Sequence, residues 1–404
     1  MNTTQRHRAQ RHLGTLTSEL ALPPADRGPS WGQSLAHGSP GIALLHIERA
    51  ATGLGDWDTV HTWLRASMRS TVRSDTATGL FFGAEAVAFA VHTAAAHGPG
   101  AYTQALATLD TAVAHATTAR LEQAHARITQ GERPAFAEFD LIYGLTGTGA
   151  LLRQRDPHGA LLRDVLTYLV RLTEPLPGGE VGWWTDLAPS GKPDPQFPGG
   201  HGNFGIAHGI TGPLALLALA LRDGIEVPGQ REAIGRITAW LDTWQQDGGH
   251  GTWWPDRITP TDERRGRPHL VRPARPSWCY GTPGIARAQQ LAALATGDTA
   301  RQKRAELAML AALGDPRQTG QFTDTSLCHG TTGALLTAHR IVADAASPHR
   351  GAALLFAAGR LADREPAADD AGLLEGAAGI ALALHTAARE DLPASGWDAC
   401  LLLT

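Results

Sequence analysis

The sequence predicts an all-α protein in which seven inner helices form a closed ring inside seven outer ones. Three observations carry that prediction. A Gly-x-x-Gly motif recurs along the 404 residues, at Gly38–Gly41, Gly144–Gly147, Gly209–Gly212, Gly281–Gly284, Gly330–Gly333 and Gly376–Gly379, and Gly83 with Ala86 forms a degenerate seventh copy. Each motif leads into a run that is apolar nearly all round, such as Ala334-Leu335-Leu336-Thr337-Ala338-His339 or Ile380-Ala381-Leu382-Ala383-Leu384. That is the mark of a helix buried on every side. Amphipathic stretches separate these runs, so the two kinds of helix alternate.

The amphipathic stretches include Trp57–Arg69, Ala160–Glu174, Arg231–Gln245, Arg301–Leu313 and Gly351–Arg364. In the third, Ile234, Ile237, Trp240, Leu241 and Trp244 recur at helical spacing with Arg and Asp between them. Seven pairs suggest two concentric layers around a central cavity. Glycine suits each lead-in because it permits tight turns and lets inner helices approach one another. The lead-in loops then converge at one end of the ring, where free N–H groups and helix dipoles make the surface mildly electropositive. An open solenoid is the alternative, and it would carry polar terminal repeats. Here the first and last motifs both keep the full glycine pattern. Residues 1–404 are read as one domain.

Two connections, Leu176–Gly200 and Asp247–Pro276, are long and rich in Pro, Gly and Trp. Loops of that length are usually functional or disordered. Each holds a tryptophan pair, Trp183-Trp184 and Trp253-Trp254. The rings either pin the loops to the body or wall a cleft for an extended substrate.

Composition narrows the function. Hydrophobic residues make up 43% and charged residues 18%, as in a well-buried globular protein. A net charge of −4 argues against a nucleic-acid partner. Only three cysteines are present, which disfavours a disulfide framework and fits reduced thiols in a cytoplasmic protein. The polar N-terminus lacks an apolar signal segment, and no apolar run is long enough to span a bilayer.

Two of the cysteines sit in segments of one form, Ser277-Trp278-Cys279-Tyr280-Gly281-Thr282-Pro283-Gly284 and Leu327-Cys328-His329-Gly330-Thr331-Thr332-Gly333. In each, a soft metal-ligating residue precedes the glycine motif. Cys279, Cys328 and His329 make a donor set that suits Zn2+, and three protein ligands leave a fourth position open for chemistry. Cys400, in the apolar tail Ala399–Leu403, reads as a buried free thiol. His208 also immediately precedes a glycine, and Asp140 stands in the otherwise apolar Phe139–Gly144. An acid there needs a partner. The plainer readings are a helix N-cap for Asp140 and a hydrogen-bonded core residue for His208. His37 has the same placement as His208, and His201 and His250 lie in glycine-rich loops as less favoured ligands.

These segments resemble the lanthionine synthetase C-like (LanC) cyclases. The resemblance rests on Ser277–Gly284, on Cys328-His329-Gly330, on Ala207–Gly212 and on Asp140–Gly144, in the family's order. It implies an α/α toroid with zinc held by Cys279, Cys328 and His329, and a site completed by Asp140, His208, Arg275 and Tyr280. Some members carry a small β-rich insertion between early helices, and no β pattern is visible between Gly83 and Asp140.

The implied reaction adds a peptide cysteine thiol to a dehydroalanine or dehydrobutyrine of the same peptide, giving a lanthionine or methyllanthionine thioether ring. Zinc would favour the thiolate. His208 is the candidate general acid for the α-carbon. Arg275 or Tyr280 would stabilise the enolate oxygen, and Asp140 would orient the histidine or accept the thiol proton. The implied partners are a dehydrated precursor peptide with its leader, a dehydratase and a peptide exporter. The alternative is a LanC-like protein that binds or conjugates a small thiol such as glutathione.

Overall fold

The computed structural model describes residues 3–404 except 26, 101, 189, 194, 196, 250, 364–367 and 369, and omits the side chains of 362 and 363. The expected amphipathic stretch 351–364 therefore ends just outside the described residues. Fourteen long helices appear among the described residues, in the order α1 (Thr3–Glu19), α2 (Ser39–Ala51), α3 (Trp57–Ser67), α4 (Ala84–His97), α5 (Thr103–Gln130), α6 (Leu145–Arg155), α7 (Ala160–Leu172), α8 (Thr211–Arg222), α9 (Gln230–Trp244), α10 (Thr282–Thr296), α11 (Thr299–Gly314), α12 (Thr331–Ala343), α13 (Pro348–Gly359) and α14 (Ala377–Arg389). The even-numbered helices are the buried ones. Ile42, Leu44, Leu45 and Ile47 of α2, for example, have no exposed surface.

Each inner helix packs on the next, and α14 packs back on α2, so the ring closes. The outer layer closes differently from a simple inner–outer alternation. The outer partner of α14 is α1, contributed by the start of the chain, so the two ends of the sequence meet in one repeat. Between Gly83 and Asp140 the chain is helical in α4, α5 and a short turn at Phe136–Phe139. The residues just after the first long connection pair with the second in a small antiparallel ladder, Gly202–Asn203 against Arg257–Ile258. No helix is long and apolar enough to cross a membrane, among the described residues.

The glycine motifs have a steric cause. A Cβ on Gly284 would lie 2.0 Å from the Trp278 carbonyl oxygen, and one on Gly333 would lie 1.9 Å from that of Leu327. The partner is always six residues back, so the loop folds directly onto the first turn of the helix it feeds. The first glycine of each motif meets its own loop as well: a Cβ on Gly281 would be 2.3 Å from the Ser277 nitrogen. Close approach, rather than left-handed backbone, makes glycine necessary here, since Gly281 is extended (φ −114°, ψ 176°). Neighbouring repeats gain from it too, because a Cβ on Gly284 would also meet Ile206 at 2.9 Å.

The same loops are stitched to one another. Backbone N–H groups of Leu141, Ala207, Cys279, Cys328 and Leu374 donate to the carbonyls of Ala207, Cys279, Cys328, Leu374 and Ala36 in turn, at 2.7–3.4 Å, and Leu35 donates to Phe81 at 3.0 Å. This belt joins six of the seven junctions between lead-ins. The opposite end of the ring is filled by the C-terminal tail, where Trp397 and Cys400–Leu403 are buried. The Trp278 indole N–H donates to the Leu401 carbonyl (3.2 Å), Arg287 to that of Leu403 (2.7 Å), and Arg153 to Thr404 (2.8 Å).

Candidate active site

Aligning the seven lead-ins on their first glycine shows what the belt does to side chains. Three residues before the glycine stand Leu35, Leu80, Leu141, Ile206, Trp278, Leu327 and Leu373, all buried beneath the loop. Two before it is the belt position, occupied by Cys279 and Cys328 in adjacent repeats. One before it are His37, Phe82, Tyr143, His208, Tyr280, His329 and Glu375, which form a rim.

The two adjacent cysteines are tied by the Cys279 N–H···O=C Cys328 bond of 3.2 Å. With His329 they form a group whose ligand atoms all lie within 4.8 Å of one another. A hydrogen bond from Cys328 draws the Cys279 thiol down, and the same contact pushes Cys328 up. Ser277 Oγ lies 3.6 Å from the Cys279 sulfur. Carboxylates flank the His329 ring, with Asp324 3.4 Å from Nε2 and Glu375 3.8 Å from Nδ1. Whichever nitrogen serves as a ligand, the other faces an acid, which is the usual support for a metal-bound histidine. Two soft thiols and an imidazole converging in this way fit a zinc ion.

His208 stands two repeats from His329. Its Nδ1 lies 2.6 Å from Asp140 Oδ2. Asp140 is fully buried, and its Oδ1 accepts from the Tyr143 and Gly144 amides at 2.6 and 2.8 Å. The carboxylate therefore braces its own loop and holds the histidine at once; it is not the N-cap expected of it, since Gly144 takes that position on α6. The His208 ring stacks between Tyr143 and Tyr280, at centroid distances of 5.9 and 6.1 Å. Tyr280, next to Cys279 in the chain, thus connects the cysteine–histidine group to the Asp140–His208 pair. Burial pushes its phenol well above the usual range, so it keeps its proton. Asn203 Nδ2 donates to the phenol oxygen at 3.3 Å, leaving the O–H free to donate elsewhere. Arg275 is partly exposed, with Nη1 3.4 Å from Thr323 Oγ1 and 3.9 Å from Asp324.

Other expected residues fall elsewhere. His37 contacts Asp370 through Nδ1 at 2.9 Å, and His201 packs between Phe136 and Phe197. His250 lies outside the described residues. Cys400 is buried and free. Trp183, Trp184, Trp253 and Trp254 are all buried, and the Trp184 and Trp254 indoles donate to the Gly199 and Leu241 carbonyls. The four rings pin the long loops, and the argument from them for an extended substrate falls away.

Asn203 and Asp324 were missed from the sequence. A signal existed: with Arg275 and Asp370, both stand six residues before the first glycine of their repeat. From that position Asn203 and Asp370 reach the rim residue of the next repeat, and Asp324 reaches that of its own.

Comparison with known proteins places this geometry. One curated relative, the Nisin biosynthesis protein NisC of Lactococcus lactis subsp. lactis, is 25% identical over 203 residues, which is 48% of this chain and 47% of that protein. The match thus spans about half that relative's length. The solved structure of nisin cyclase matches with a TM-score of 0.77 at 18% identity, covering 100% of this chain and 98% of that one. At that identity the likeness is one of fold, the α/α toroid. A family model described as lanthionine synthetase C-like protein matches residues 29–402, and the chain belongs to that family.

Proposed function

We propose that this chain is a zinc-dependent lanthipeptide cyclase that closes thioether rings in a dehydrated precursor peptide, working as a single toroidal domain in the cytoplasm. The observation that carries the reading is the convergence of Cys279, Cys328 and His329 within 4.8 Å, at the end of the ring that also holds the Asp140–His208 pair. Those three residues would hold the zinc ion, which would supply Lewis acidity favouring the thiolate form of a peptide cysteine.

The remaining work falls to the protein's own groups. Attack of the sulfur on the β-carbon of a dehydro residue places negative charge on the neighbouring carbonyl oxygen. Tyr280, whose O–H is left free by Asn203, donates to that oxygen, and Arg275 contributes positive charge. With Nδ1 engaged by Asp140, Nε2 is the His208 nitrogen available to deliver a proton to the α-carbon. Asp140 fixes the tautomer and steadies the charged ring. A leader-bearing precursor is the proposed partner, supplied by a dehydratase and removed by an exporter.

The test is to incubate zinc-loaded protein with a dehydrated, cysteine-containing precursor and follow free thiols and ring formation. Loss of peptide thiols with no change in mass supports cyclisation. Unchanged peptide thiols alongside consumption of added glutathione would overturn it.

A further inference from the structure

The belt of backbone hydrogen bonds is interrupted once. Among the described residues no backbone bond joins the lead-in of α4 to that of α6, the loop that carries Asp140. A side chain occupies the gap. Arg120 comes from the outer helix α5 and is buried. Its Nη1 donates to the Thr78 carbonyl at 3.1 Å, and its Nη2 to those of Ala137 and Tyr143 at 3.0 and 2.5 Å. Nη1 also lies 3.4 Å from Thr148 Oγ1 of α6, and 4.0 Å from the buried Glu85 carboxylate at the start of α4. Thr78 belongs to one loop, and Ala137 and Tyr143 belong to the other.

We propose that Arg120 is a positioning residue for the Asp140–His208 pair, a guanidinium clamp that replaces the missing backbone bond at the seventh junction. Ala137 and Tyr143 lie three residues on either side of Asp140, so the clamp grips both shoulders of its loop. The path to the histidine is short. Arg120 holds the Tyr143 carbonyl, the Tyr143 amide donates to Asp140 Oδ1, and Asp140 Oδ2 meets His208 Nδ1. A planar fork reaches several fixed carbonyls at once, which an ammonium on a flexible stem does not. Three backbone carbonyls satisfy the buried guanidinium, and the Glu85 carboxyl, itself pushed up by burial, lies 4.0 Å away. Gly79 completes the joint, since a Cβ there would come within 2.8 Å of the Tyr143 carbonyl oxygen that the clamp uses.

The proposal rests on the cyclase reading only for its kinetic arm. In zinc-loaded Arg120→Met, kcat is expected to fall roughly 10- to 100-fold, the cost of a misplaced catalytic group, with KM within about twofold and zinc content unchanged. Arg120→Lys recovers part of the loss. The second arm needs no substrate: amide hydrogen exchange at Tyr143 and Gly144 accelerates in both variants, while Cys279 and Cys328 keep their protection. Unchanged exchange at Tyr143 and Gly144 in Arg120→Lys would overturn the clamp even if Arg120→Met does not fold. So would loss of zinc and of protection all round the ring in a folded variant, which would mark a general structural role. Failure of the wild-type protein to cyclise sinks the functional reading and leaves the exchange arm standing.

Discussion

The Asp140 carboxylate meets His208 Nδ1 at 2.6 Å while its other oxygen accepts two backbone amides of its own loop. The loop therefore fixes the acid, and the acid fixes the ring. Asp140→Asn keeps the size and an oxygen for the amides, but turns an N–H toward Nδ1. Neutral His208 must then carry its hydrogen on Nε2, and its charged form loses the countercharge. The expected result is a fall in kcat of about 10²- to 10⁴-fold with stoichiometric zinc. A variant within tenfold of wild type would remove His208 from the proton transfer.

Cys279 and Cys328 are tied by a backbone bond at the same register of adjacent repeats, so the scaffold should survive loss of either sulfur. Cys279→Ala and Cys328→Ala are expected to abolish zinc binding and cyclisation together, with helical content unchanged. Metal analysis and circular dichroism on the same samples check this. Zinc retained one-to-one in both variants would show that the ion sits elsewhere.

The motif glycines offer a paired test. Gly333→Ala places a methyl 1.9 Å from the Leu327 carbonyl oxygen, behind Cys328. The backbone must shift, at a cost of about 1–3 kcal/mol or more, and the shift falls on a zinc ligand. Gly235, in the middle of α9, has nothing within 4 Å of an added Cβ. There Gly→Ala is expected to stabilise by about 0.5–1 kcal/mol. Denaturant midpoints decide both, and equal shifts would remove the steric account of the motif.

These glycines also explain how much could be read in advance. A carbonyl six residues back tolerates no Cβ, so the packing constraint is written into the chain as a repeating residue type. The ring, its inner helices and the cysteine–histidine group were legible for that reason. What was not legible depends on side chains that cross between repeats. Asn203 reaching Tyr280 and Arg120 reaching Tyr143 are set by how repeats are stacked, and each residue alone looks like an ordinary polar one. The tryptophan pairs left two readings open, because their place in long loops carries no sign of which face is buried. The outer partner of α14 was hidden as well, since α1 is separated from it by almost the whole chain.

Far from the rim, His385 of α14 is almost fully buried, 3.2 Å from Thr52 Oγ1 and 3.9 Å from Glu48. Glu48 accepts from the Ala394 and Ser395 amides and the Ser395 hydroxyl, pinning the chain beyond α14. Burial lowers the His385 pKa from 6.5 to about 4, against the pull of Glu48. The unfolded chain thus takes up this proton near pH 6.5, and the folded chain takes it up only near pH 4. Between those values the unfolded state binds more protons, so stability rises with pH there and is lost as pH falls. From about pH 7.5 to about pH 5 the loss from this residue should approach about 2 kcal/mol. His385→Gln removes the titration, so its unfolding free energy should change less over that interval. Urea unfolding of both proteins at the two pH values measures the difference. Equal losses in wild type and variant would mean that water reaches the imidazole and that the base of α14 opens before the rest of the ring.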